Sequence, residues 1–190
     1  RRQRQMCIRD RGVRELIAPE IAGRLKKEKT DLENVDQDAD NPIFNKYTDL
    51  YAMAYHIFAL LMNGSSPFAS MANMEAISQH PSKNVSSIDI DQFHAAEKGE
   101  FVFARHLLFK KAPEYAPKYK MLSPELRKLF ERAFIEGAKN PKVRPEAKEF
   151  YDALTEYLES LEECHCGHYG HYMPSTYTGE CEWCRIENLK

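Results

Sequence analysis

Three things are scarce in this 190-residue chain, and each scarcity closes off a class of function. Net charge is scarce. The 27 Lys and Arg nearly balance the 29 Asp and Glu, leaving a formal charge of -2 and a pI near 6.4. A chain so balanced feels no general pull toward nucleic acid or an anionic membrane. Long apolar runs are scarce too. The longest, over 50–62, contains a histidine and falls short of the ~20 residues that a bilayer span needs. No apolar stretch follows Arg1-Arg2-Gln3-Arg4-Gln5-Met6, so no signal peptide is expected. Cysteine is almost absent from most of the chain. Cys7 stands alone, and the other four are Cys164, Cys166, Cys181 and Cys184. An even spread would suggest a disulfide framework. Close pairs at one end suggest a metal site in a reducing, cytoplasmic compartment. The chain opens on Arg1 with no initiator methionine, which leads us to expect a fragment or a processed product.

What is present is mostly helical patterning. Residues 48–63, from Thr48 and Asp49 to Asn63, are apolar at nearly every position and are followed by Gly64. A surface helix has one apolar stripe, so this pattern predicts a helix buried on all faces. Thr48 or Asp49 can cap its first turn, and Gly64 can end it in a left-handed conformation. His56 lies inside it and is expected to be a core histidine satisfied by a neighbour.

A second helix is predicted from Ser123-Pro124, an N-cap serine with proline in the first turn, to Gly137. Its apolar set is Leu122, Leu126, Leu129, Phe130, Ala133 and Phe134. After a turn at Asn140-Pro141, Pro145 opens a last long helix, with Ala147, Phe150, Leu154, Tyr157, Leu158 and Leu161 on one face. A shorter helix is expected over 69–79, and an extended piece at Gly99-Glu100-Phe101-Val102-Phe103. The acidic stretch 28–42 reads as a loop. Its Asp36, Asp38 and Asp40 have the spacing that begins a calcium loop, but Asn41 and Tyr47 stand where that motif needs Gly and Glu. The fold class is therefore mainly α: one helical domain over 1–161, then a small Cys-rich, zinc-ribbon-like tail over 162–190.

Four pieces stand in order: Ala18-Pro19-Glu20, Asp49 opening the apolar helix, Gly64 with Pro67-Phe68, and Arg144-Pro145. Over about 12–161 this resembles the C-terminal lobe of a eukaryotic-type Ser/Thr protein kinase. Gly99-Glu100-Phe101-Val102-Phe103, the run Leu129 to Gly137, Cys166-Gly167-His168 and Cys181-Glu182-Trp183-Cys184 are similar to a bacterial kinase-like family that often ends in a cysteine-rich tail. The resemblance implies that Ala18-Pro19-Glu20 closes an activation segment. It implies that Glu20 pairs with Arg144 in a buried ion pair, and that Asp49 acts as a helix cap.

Phosphoryl transfer needs a phosphate-covering loop, a lysine, a catalytic aspartate and a metal-binding aspartate. Those parts would precede Ala18, where this sequence has 17 residues. Ile8-Arg9-Asp10 sits too close to Ala18 to be a catalytic loop. This chain alone is therefore expected to lack the nucleotide site, with ATP and Mg belonging only to a full-length parent. Val13 stands where the family carries a threonine whose hydroxyl contacts the catalytic aspartate. A valine cannot hydrogen-bond, so the parent is either an active kinase or a pseudokinase that binds protein. The expected partner is a protein substrate or another protein. Neither membrane nor nucleic acid is favoured.

The tail carries the densest chemistry. Two residues separate Cys181 from Cys184 and one separates Cys164 from Cys166, with 14 residues between the pairs. Thiolates so spaced suit a structural zinc. The expected ligands are Cys164, Cys166, Cys181 and Cys184, with His168 as an alternative for one of the first pair. His165 and His171 are expected to be exposed. Tyr169, Tyr172, Tyr177 and Trp183 would pack around the metal or dock on the last helix. The tail has too few aliphatic residues for its own core, so metal binding would supply its folding free energy.

Overall fold

The computed structural model describes residues 16–21, 45–70, 92, 94–104 and 111–188. The acidic triplet Asp36, Asp38, Asp40, most of the 69–79 stretch, Ile8-Arg9-Asp10 and Val13 lie outside the described residues. The described chain is mostly helical, with one two-stranded sheet in the tail. Among the described residues no helix is long and apolar enough to cross a membrane.

Helix α1 spans Lys46–Leu61. Its cap is neither Thr48 nor Asp49. Asn45 is the N-cap, and its side chain accepts from the Tyr47 amide at 2.8 Å. Thr48 closes a capping box from the third helical position, accepting from the Asn45 amide at 3.0 Å. The helix therefore starts one turn earlier than its apolar run suggests, and Asp49 lies exposed in its first turn. Nor is α1 buried on all faces. Tyr51, Ala54, Tyr55, Phe58 and Met62 face the core, while Leu60 is 82% exposed and His56 is exposed rather than a core histidine. Asn63 and Gly64 end α1 with positive φ of 52° and 76°.

Helix α2 spans Pro124–Glu131, with the Ser123 hydroxyl accepting from the Leu126 amide at 3.2 Å. It does not stop at Gly137. A π-helical turn over Arg132–Glu136 carries it on to Gly137–Lys139. Helix α3 spans Ala147–Glu159, with Glu146 as N-cap and Glu149 closing its capping box. Pro145 is the buried residue before that cap, not the first of the helix. Phe150, Ala153 and Tyr157 form the buried face of α3, while Ala147 and Leu158 are exposed.

Phe58 is the hub of the core. Its ring meets Phe101, Phe103, Phe130 and Phe134 edge-on at centroid separations of 5.5, 5.1, 5.1 and 5.9 Å. Edge-to-face packing sets positive ring edges against negative faces, which adds to the burial term. Phe101 and Phe103 reach it from a turn, not from the expected extended piece. That segment follows a helical stretch over 94–98, and Gly99 breaks the stretch with φ of 66°.

Candidate metal centre

The tail begins with a hairpin. Strand β1, Leu161–Glu163, pairs antiparallel with β2, Tyr172–Pro174, in the register Leu161↔Pro174, Glu162↔Met173, Glu163↔Tyr172. Between them the chain folds into a knuckle, closed by the Cys164 amide donating to the His171 carbonyl at 2.7 Å. Gly167 and Gly170 turn it, with φ of 78° and 81°. A short helix, α4, spans Glu182–Glu187 and starts on Cys181.

This arrangement gathers Cys166 and His171 from the knuckle with Cys181 and Cys184 from the start of α4. Their ligand atoms all lie within 4.8 Å of one another. His171 Nδ1 sits 3.5 Å from the Cys166 sulfur, 3.6 Å from Cys181 and 3.6 Å from Cys184. A tetrahedral centre with ordinary zinc–sulfur and zinc–nitrogen bonds separates its nitrogen and sulfur ligands by about 3.6 Å. The four groups can hold a metal ion, and their spacing fits that geometry. His171 is buried rather than exposed, and its other ring nitrogen lies 3.3 Å from a Glu187 carboxylate oxygen. A carboxylate there fixes the ring's orientation.

The gathered set differs from the expected one. Cys164 is outside it, although the Cys181 and Cys166 thiols lie near enough to raise its pKa. His168 is exposed, with Nδ1 3.2 Å from the Cys184 sulfur, and shares a second grouping with His171 and Glu187. His165, Tyr169 and Tyr172 are exposed, so those two tyrosines do not pack around the cluster. The Trp183 indole donates to the Tyr172 carbonyl at 2.9 Å.

The thiols are electrically strained against one another. The His168 backbone N–H, bonded to the Cys166 sulfur, holds its pKa down to about 6. Burial, then the Cys166 and Cys181 sulfurs, push Cys184 up to about 12. At Cys164 the Cys166 backbone N–H pulls downward, but burial and the neighbouring thiols outweigh it and raise the pKa. Burial alone would lower His171, but its contacts with Cys166, Cys181 and Glu187 raise it. Cys166 ionises easily because a backbone N–H supports its thiolate, while Cys184 resists first through burial and then through the neighbouring sulfurs. A cation among them would relieve that repulsion.

No family model, curated protein or solved structure matches the chain.

In the helical part, the other predicted site residues lie as follows. The Arg144 guanidinium grips both Glu20 carboxylate oxygens, at 2.8 and 2.7 Å. The same nitrogens donate to the Tyr47 and Gly137 carbonyls, each at 2.8 Å. Arg144 is 3% exposed and its guanidinium carbon lies 5.1 Å from the Tyr51 ring centre. Gly137 makes this possible. A Cβ there would lie 2.7 Å from the Arg144 Cγ. The glycine is thus an arginine seat inside the helix, not a helix stop. Ala18 and Pro19 are buried beside Glu20.

Sequence reasoning missed two residues. Glu182 is fully buried, and Arg185 on the same helix bonds to it at 2.8 Å. A charged residue directly after each cysteine of the Cys181, Cys184 pair was the available signal.

Proposed function

We propose that this chain is the helical C-terminal lobe of a Ser/Thr protein-kinase-like protein, joined to a tail folded around a structural zinc ion. The observation that carries the lobe reading is the two-pronged Arg144–Glu20 pair. It ties the Ala18-Pro19-Glu20 segment to α1 through the Tyr47 carbonyl and to the end of α2 through the Gly137 carbonyl. A bidentate arginine holding a carboxylate and two carbonyls fixes three segments at once. In a kinase-like lobe such a tie holds the end of the activation segment, beside which a protein substrate docks. The role of this chain is then to bind protein, and phosphoryl transfer belongs to a longer parent. Val13, in place of the expected threonine, favours the second reading of that parent: a pseudokinase adaptor that binds protein without transferring phosphate.

Zinc is the metal that best suits three thiolates and one imidazole in tetrahedral spacing. Cys166, Cys181, Cys184 and His171 would hold it, and its contribution would be folding free energy rather than chemistry.

Calorimetry with MgATP tests the lobe reading. No binding heat is expected from this chain, and micromolar affinity would overturn the absence of a nucleotide site. Elemental analysis tests the tail, where one zinc per chain is expected and no bound metal would remove that part.

A further inference from the structure

The helix that brings two cysteines to the cluster also carries the residues that tie the tail to the lobe. The Glu182 carboxylate accepts from the Tyr177 hydroxyl at 2.7 Å, from Arg185 Nε at 2.8 Å and from the Lys118 backbone N–H at 3.3 Å. The Lys118 ammonium lies 3.1 Å away. Arg185 in turn donates to the Glu114 and Ala116 carbonyls at 2.7 and 2.8 Å. Lys120 lies 5.5 Å from the Tyr177 ring centre. A carboxylate taken wholly out of water is costly unless every partner is in place. All of these partners require α4 to stand in one orientation against the 113–120 loop.

A six-residue helix cannot hold that orientation alone, because helix nucleation is unfavourable and so few residues do not repay it. The residues immediately before Glu182 and Arg185 are Cys181 and Cys184, which join α4 to the Cys/His cluster. We propose that α4 is a metal-set latch: filling the Cys/His centre locks Glu182 and Arg185 onto the lobe's 113–120 loop, and emptying it releases the tail from the lobe. This rests on the metal reading of the cluster. Coupling of this kind is reciprocal, so breaking the latch must also weaken metal binding.

The test uses the full chain loaded with one zinc, followed by NMR hydrogen exchange before and after EDTA. The Lys118 amide, which donates to Glu182, should exchange about tenfold faster once zinc is removed. In competition with a chromophoric chelator, E182Q and R185K should each lose about fivefold or more in zinc affinity. R185K guards against E182Q misfolding, since it keeps the charge and removes only the fork that reaches two carbonyls. Unchanged Lys118 exchange in a chain that binds one zinc overturns the latch and leaves the metal centre standing. Failure to bind zinc at all overturns both, and the two failures are told apart by the metal content.

Discussion

Phe58 in the lobe is surrounded by four other aromatic rings, whereas His171 in the tail is surrounded by three thiols. The lobe around Phe58 is held by apolar burial, which needs many residues and tolerates any solvent that leaves water cohesive. The tail around His171 has few buried apolar side chains, chiefly Met173 and Ile186. Its order depends on a few directional contacts instead. The lobe should therefore answer to changes in packing volume, and the tail to changes in ligand supply.

Metal removal is the largest way to separate the two regions. Structural zinc contributes about 10–16 kcal/mol in small domains. Stripping with EDTA, or the change Cys184→Ser, should collapse the dispersed NMR signals of 161–188. The near-UV circular dichroism of the lobe's aromatic core should persist. Loss of both together would mean that the lobe borrows its stability from the tail. Next in size is Phe58→Ala, which should cost the lobe about 3–5 kcal/mol in urea unfolding. It should leave zinc content at one per chain.

The lobe was more legible in the sequence than the tail, and for a physical reason. Helical spacing is a local property, so spacing alone marks Leu126, Leu129, Phe130, Ala133 and Phe134 as the buried stripe of α2 and its continuation. Local pattern failed where burial depends on a distant partner. Leu60 and His56 look like core residues within an apolar run, yet both are exposed among the described residues. Gly137 looks like a stop, and its use is set by Arg144 seven residues later. In the tail, the cysteine pairs announced a cluster that can hold a metal ion, but the choice between Cys164 and His171 was not readable. It depends on how a knuckle of a few residues turns through Gly167 and Gly170. Glu182 stood out only as a charge beside Cys181, and its burial was not readable because Lys118, which bonds to it, lies 64 residues upstream.

A finer test of the ligand set comes from the residue behind His171. Glu187→Gln keeps the shape of the side chain and removes its charge. Second carboxylates behind metal-bound histidines typically matter by about 10–100-fold in affinity. We expect about tenfold weaker zinc binding by chelator competition, with no change in the lobe's unfolding midpoint. If Cys164, not His171, completes the centre, Glu187→Gln should leave affinity unchanged while Cys164→Ser lowers it.

The smallest expected effect concerns the first turn of α1, where two residues compete for the role of cap. Asn45 bonds directly to a backbone amide and Thr48 reciprocates, so Asn45→Ala should cost about 1 kcal/mol. Asp49 is exposed and acts only as a negative charge near the positive end of the helix. Asp49→Asn should therefore cost no more than about 0.5 kcal/mol, and added salt should erase it because exposed charge–dipole terms are screened. The Asn45 term is a short hydrogen bond and should survive molar salt. Urea titrations of both variants at low and high ionic strength separate the two. A salt-resistant loss at Asp49 would return the cap to the aspartate and shorten α1 by a turn.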